Sequence, residues 1–396
     1  MDAMEIKKHC DTCIDTLSDQ LWDIAKYIHA NPEVAFTEEK ACLCLTTFLN
    51  QHGFNVQSPV GGLKTAFKAF YSKGSGPVIG VISEYDALPG LGHACGHNLI
   101  AASGVGTVVA VKNALDQSEL EGTIVLIGTP AEESGGGKIL LLNQGIFDGI
   151  DAVFLMHPTS ATTRIGGECV SFTGLHIYFK GKSAHAESHP ENGINAQDAA
   201  TLFYTAIGLM RQQLKDNIHI CCVMHHTASD IGQIPDLTHL EIEISTRVAS
   251  DIDDVKVRIT NIAHGIALAT GCNVQIDDIM GYLGRIPNKV LADICKQELL
   301  VLNEPVMDGI PSDNGGEDLG NISRVIPSLN LFTTILPEKK ISGHTDQFRE
   351  LAISENGRHA LNISCKAMSR SIVELMLFPH YISDAKEELN KRLLDA

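Results

Sequence analysis

Basic side chains are scarce. Thirty Lys and Arg stand against 48 Asp and Glu, a formal net charge of −18 over 396 residues. That balance leaves no basic face for a phosphate backbone and excludes nucleic acid as a partner. Long apolar runs are also missing. No uninterrupted stretch approaches the roughly 18 residues that a membrane helix needs, so no membrane partner is expected. The opening Met1-Asp2-Ala3-Met4-Glu5-Ile6-Lys7-Lys8 lacks the apolar segment of a secretory leader. A disulfide framework is absent as well. The 11 cysteines are odd in number and poorly spaced, with Cys221 and Cys222 adjacent and Cys42 and Cys44 two apart. Reduced thiols and a cytoplasmic location follow. Cys10-x-x-Cys13 has no second pair of its kind and reads as incidental. There are no internal repeats and no low-complexity segments.

What the chain does have is an ordinary hydrophobic content, 44%, and enough length for two domains and a large core. Val78-Ile79-Gly80-Val81-Ile82 is an apolar run of the kind that forms a parallel strand buried on both faces. It enters the stretch Ser83 to Asn98, which holds Glu84, Asp86, His93, Cys95 and His97 among glycines. A small-residue helix follows to about Lys112. Ile124–Ile127 is a second such strand and runs into Glu132-Glu133; Val153–Met156 is a third and ends on His157. Open α/β sheets place their chemistry beyond the carboxyl ends of the strands, and three strand ends here carry Cys, His or Glu.

Cys95, His97, Glu133, His157 and His344 form a mixed donor set suited to Zn²⁺, Mn²⁺ or Co²⁺. Five ligands exceed one closed tetrahedral site and would serve two divalent metal ions per chain, with Cys95 bridging as a thiolate. Adjacent carboxylates repel unless cations are near. With Glu133 coordinating, Glu132 is placed to take a proton from activated water as general base. Asp86 fits a carboxylate that orients a ligand histidine. Ser134-Gly135-Gly136-Gly137-Lys138 is not a phosphate loop, because Ile139 follows the Lys; its glycines let the backbone pass close to the site. Ser103-Gly104-Val105-Gly106 lacks the third glycine of a dinucleotide fingerprint.

Helices are expected over about 12–29 and 38–51, and strands over 64–72 and 77–83. After His157 the texture changes. Leu175, Ile177 and Phe179, and then Leu240, Ile242 and Ile244, alternate with polar residues, as in an antiparallel sheet with one wet face. With helices near 193–214 and 251–269, the order β-α-β-β-α-β fits an inserted ferredoxin-like domain. The expected organisation is α/β: a catalytic domain with a mostly parallel central sheet, over 1–170 and 284–396, and an α+β insertion over 171–283. In that insertion His185 lies in the turn Gly181–Ala186, and Arg247 lies in an alternating strand. This cation pair could clamp a substrate carboxylate or stabilise an oxyanion.

Asp86-Ala87-Leu88-Pro89, His93-Ala94-Cys95-Gly96-His97, Pro130-Ala131-Glu132-Glu133, Gly181–Ala186 and Gly343-His344-Thr345 together resemble the M20 peptidases, nearest the amidohydrolase branch, subfamily D. Glu84-Tyr85-Asp86, His97-Asn98 and Glu317–Asn321 resemble its subgroup of peptidase M20 domain-containing protein 2, which is similar to one component of aminobenzoyl-glutamate hydrolase. The resemblance implies a catalytic domain and a smaller lid that also forms a homodimer. It implies two metals on Cys95, His97, Glu133, His157 and His344, with Glu132 as base and His185 as the oxyanion donor, often to the site of the neighbouring protomer. The substrate class implied is a small amide: a dipeptide such as β-alanyl-lysine, aminobenzoyl-glutamate or another N-acyl amino acid. Asn98 stands where most of the branch has Asp. Gln233-Ile234-Pro235 replaces the usual Asn-Val-Ile-Pro, so a substrate contact from Gln233 would be longer. Two rival readings are a non-catalytic metal-binding scaffold and a hydrolase that uses Cys95 itself as nucleophile.

Overall fold

The computed structural model describes residues 2–226, 230–311 and 315–395. They form two compact units, Met1–Cys169 with Arg285–Asp395, and Val170–Gly284. The described strands are β1 Asn55–Gln57, β2 Phe67–Lys73, β3 Val78–Glu84, β4 Gly122–Thr129, β5 Ala152–Thr159, β6 Thr163–Ile165, β7 Ser171–Lys180, β8 Ile218–His226, β9 Leu237–Thr246, β10 Asn273–Tyr282, β11 Val306–Asp308 and β12 Ser328–Thr334.

The first unit carries a sheet in the order β1-β2-β4-β3-β5-β12-β6-β11. Its centre is parallel: β3 pairs with β4 and β5, and β5 with β12, all in the same direction. Every residue of β12 is buried, and so are nearly all of β3, β4 and β5. Polar side chains are therefore pushed to the strand ends. Helices Ala3–Ala30, His97–Gln117 and Glu355–Leu377 pack together on this sheet. Helix His97–Gln117 alone among the described helices is long and apolar enough to cross a membrane, yet 89% of its apolar window is buried inside the protein. A Cβ on its Gly104 would sit 2.0 Å from Ser83 Oγ, and one on Gly106 2.8 Å from Cys365 Sγ. These two glycines serve close helix packing. The amide of Asn98 donates to the carbonyls of Ala25 and Ala352, both at 3.3 Å, a pair of bonds no Asp could make.

The first helix starts nine residues before the expected 12. Asp2 and Glu5 form a capping box, each side chain accepting from the other's backbone N–H, and Ile6 and Cys10 extend the stripe of Ile14, Leu17 and Leu21 into the core. Cys10 is packing material: its thiol donates to Ala110 O, and burial pushes its pKa up to about 12.

The second unit is β-α-β-β-α-β with strand order β10-β7-β9-β8, every pairing antiparallel. This is the ferredoxin-like arrangement. Helices Ala196–Met210 and Asp251–Thr270 bury one sheet face, with Leu175, Ile177, Phe179, Leu240, Ile242 and Ile244 beneath them. Strand β9 ends at Thr246, whose hydroxyl accepts from Val248 N and turns the chain. Arg247, expected inside that strand, consequently lies exposed in the following bend.

Candidate metal centre

Because β3, β4 and β5 are parallel, their carboxyl ends share one edge of the sheet, and each connection there is bent sharply by the backbone. Gly96 precedes the helix that begins at His97 with φ of 79°, and a Cβ on it would lie 2.5 Å from Pro158 Cγ near the end of β5. Only glycine lets this loop close against the neighbouring strand end. Ala131 adopts φ of 59° as β4 turns into Glu132–Gly135, a strained conformation for a residue with a side chain. Its N–H donates to buried Glu38 Oε1 at 3.0 Å. A Cβ on Gly137 would strike Pro130 O at 1.8 Å. His344, also in the left-handed region, is anchored by donating its N–H to Ala94 O at 3.0 Å.

These turns bring together six donor side chains, Cys95, His97, Glu132, Glu133, His157 and His344. Cys95 Sγ lies 3.4 Å from His157 Nε2. His97 Nε2 is 3.8 Å from Glu133 Oε1 and 3.9 Å from Glu132 Oε2, and His344 Nε2 is 3.4 Å from Glu133 Oε2. Ligand atoms about 2.0–2.3 Å from a tetrahedral cation lie roughly 3.3–3.8 Å apart, so these separations suit metal donors. Three donor groups result: Cys95, His97 and His157; Cys95, Glu133 and His344; His97, Glu132 and Glu133. Cys95 belongs to two of them.

Two of these histidines, buried His97 and half-buried His157, are oriented from behind. His97 Nδ1 faces Asp86 Oδ1 at 2.9 Å and Asp86 O at 3.0 Å; His157 Nδ1 faces Pro158 O at 2.8 Å. Each Nδ1 thus donates, leaving a bare Nε2 turned toward the cluster. The other oxygen of Asp86 accepts from Glu133 N at 2.9 Å, so one carboxylate sets two candidate ligands. His97 Nε2, Glu133 Oε1 and Glu84 Oε2 are buried without a hydrogen-bond partner. Orphaned polar atoms at such depth are costly unless something binds them.

The charges agree. Burial and the Glu133 carboxylate push the Cys95 thiol well above its ordinary range. Burial, then Glu84, Asp318 and Glu133, push the Glu132 carboxyl well up. Burial acts the other way on His157 and lowers it. Negative charge is in excess here, and divalent cations would balance it. The residues fit the metals expected of them.

A further layer lies beneath, to which the sequence pattern assigns no role. Lys138, fully buried, pairs with Glu84 Oε1 at 2.6 Å and with Asp318 Oδ1, and its backbone N–H donates to Asp318 Oδ2 at 3.0 Å. Glu84 ends the same apolar strand that leads to Asp86, a position from which a role is readable. Lys138 stands out in the sequence only as the end of a failed phosphate loop, and its partner Asp318 lies 180 residues further along.

A cavity of about 290 Å³ opens on the cluster, lined by Cys95, Glu132, Glu133, His157, His344 and Glu317 among others. In the second unit His185 is exposed in its turn and forms an antiparallel bridge with Gln233, whose side-chain amide donates to Ser183 Oγ at 2.6 Å. Arg247 stays in its bend after β9.

Comparison with known proteins points the same way. The model of peptidase family M20/M25/M40 matches residues 80–362. The Xaa-Arg dipeptidase of Mus musculus is 30% identical, over 98% of this chain and 93% of its own. One component of the p-aminobenzoyl-glutamate hydrolase of Escherichia coli is 29% identical, over 76% of this chain and 66% of its own. Among solved structures, a dinuclear metal-binding peptidase of the M20 family from Bacillus subtilis superposes with a TM-score of 0.71 at 22% identity, covering 91% of this chain and 99% of that one.

Proposed function

The chain belongs to peptidase family M20/M25/M40 and is an enzyme of amide-bond hydrolysis, and from that premise we propose that it is a dinuclear metal-dependent amidohydrolase. Its substrates would be dipeptides or N-acyl amino acids of the aminobenzoyl type. The observation that carries this reading is Cys95, shared by two donor groups beside His97 Nε2 and Glu133 Oε1, buried atoms that make no hydrogen bond.

Cys95, His97, Glu133, His157 and His344 would hold two divalent cations, Zn²⁺, Mn²⁺ or Co²⁺, which supply polarisation of the scissile carbonyl and acidify water. Glu132, on the wall of the cavity, takes the proton of the attacking water and returns it to the leaving amine. The excess negative charge around it keeps its carboxyl avid for that proton. Asp86 fixes His97 and the Glu133 backbone and does not itself touch substrate. His185 is assigned the developing oxyanion, and Gln233 and Arg247 the substrate's amide or carboxylate, on the strength of the resemblance. A homodimer built through the insertion, which would serve as lid, and a cytoplasmic location, where eleven unpaired cysteines persist, complete the proposal.

The test is metal-stripped protein reconstituted separately with Zn²⁺, Mn²⁺ and Co²⁺. β-Alanyl-lysine, aminobenzoyl-glutamate, N-acetyl amino acids and plain dipeptides are then assayed, with metal per chain measured. The expected result is hydrolysis of at least one substrate that returns at about two metals per chain. Metal uptake with no turnover would favour a binding scaffold. Activity that survives chelation but not thiol alkylation would favour Cys95 as nucleophile.

A further inference from the structure

Glu84 is the last residue of β3 and stands in register with Thr129 of β4, so its backbone is fixed in the ladder where the sheet ends. Its side chain is buried, and the residue is 2% exposed. Oε1 meets Lys138 Nζ at 2.6 Å, whereas Oε2 makes no hydrogen bond and lies 3.5 Å from His97 Nε2. That nitrogen, equally buried, makes no hydrogen bond either. Lys138 is itself immobilised, because Asp318 takes both its ammonium and its backbone N–H. The last torsion of a Glu side chain is soft, and here the ammonium fixes it: one oxygen is held from behind and the other is turned toward the cluster. Three carboxylates, Asp318, Glu84 and Glu132, act on this single ammonium, so negative charge is left over beneath the candidate ligands.

We propose that Glu84 is a buried counter-charge for the cation that His97 would hold, aimed at it by Lys138 and Asp318. The inference rests on the dinuclear reading above and extends it to residues outside the ligand set. Glu84 completes none of the three donor groups, so its role is charge and not ligation. At this depth solvent screens a carboxylate little, and one left uncompensated is costly. Lys138 on one side and a divalent cation on the other would share the charge. Lys138 and Asp318 are positioning residues: neither lines the cavity, and both act through Glu84. Glutamine at this position separates charge from shape. Its amide oxygen can accept from Lys138 as the carboxylate does, while its NH₂ is presented to His97 Nε2. The charge is then lost and the nitrogen that would take the metal is capped.

The experiment uses the full chain, stripped of metal and titrated with Zn²⁺ against a chromophoric chelator, with zinc per chain counted. The parent should take up about two equivalents. In Glu84→Gln one of them should weaken about 10–100-fold while the other is unchanged, and the metal-free melting temperature should stay close to the parent's. A purely structural role would instead lower that temperature and weaken both equivalents alike. Glu84→Asp keeps the charge at a slightly greater distance and should weaken the same equivalent less than Glu84→Gln does. Zinc affinities in Glu84→Gln equal to the parent's overturn the proposal, as does an equal loss in Glu84→Asp. A parent protein that takes up no zinc removes the dinuclear reading as well, which tells the two failures apart.

Discussion

The two sheets treat polar residues in opposite ways. In the first unit β3, β4, β5 and β12 are covered on both faces, so charge collects at one edge, where Glu84, His97 and Glu133 keep buried atoms without hydrogen bonds. In the second unit one face is wet, and polar residues are spread along every strand and pair with cross-strand neighbours: His225 with Glu241, Lys180 with Gln275 at 2.8 Å. Covering both faces of a sheet thus concentrates its chemistry, and leaving one open disperses it. Charge should accordingly matter far more at the first edge than on the second face.

The sharpest consequence concerns Glu132. Glu132→Gln should lower kcat on the best amide substrate by about 10²–10⁴-fold with metal per chain unchanged; a variant that keeps its metals and full rate would remove Glu132 from the reaction. Next is the charge beneath it. Lys138→Met leaves Glu84 and Asp318 buried and uncompensated and should cost about 3–5 kcal/mol in denaturant unfolding. Lys180→Met, on the wet face, should stay within about 0.5 kcal/mol. Similar losses at both positions would erase the contrast between the sheets.

A small, pH-dependent effect is expected where the first unit meets solvent. Glu304 accepts from Thr163 Oγ1 at 2.6 Å and faces His359 Nε2 at 3.2 Å. Burial pushes the Glu304 carboxyl up, but hydrogen bonds from His359 and Thr163 outweigh it and leave the group below its ordinary 4.5; the same bond raises His359 above 6.5. The stability from Glu304 is present above pH 4.5 and lost as pH falls through its lowered folded value. That from His359 is present below pH 6.5 and lost as pH rises through its raised folded value. His359→Ala should therefore lower the melting temperature most between about pH 4.5 and 6.5 and less on either side. With His359 largely exposed, the effect is at most about 1 kcal/mol. A loss that is flat from pH 4 to 9 would show that the pair carries no charge interaction.

Much of this is legible in the chain alone. Apolar runs such as Val78–Ile82 mark strands buried on both faces, and the alternation of Leu175, Ile177 and Phe179 marks a half-wet one, because side-chain period reports burial directly. Less legible are features with no periodic trace. The first helix begins at Ala3 because a capping box outweighs the polar look of its opening turn. Arg247 leaves its strand because the Thr246 hydroxyl takes the next available N–H. Asn98 stands out in the sequence as a departure from a pattern, and the structure gives it two carbonyls to bond.

By itself the sequence determined which donors stand at which strand ends, since Glu133 and His157 follow their apolar runs within a few residues and Cys95 lies in the glycine-punctuated loop that leaves its own. Pairing across long separations was decided only in three dimensions. Lys138 meets Asp318, Asp86 serves His97 and Glu133 at once, and His176 meets His239, because strand order and register, and nothing local, bring those atoms together. Local pattern specifies which way a side chain faces, whereas contact between distant residues depends on how the elements stack, and no window of the chain contains that information.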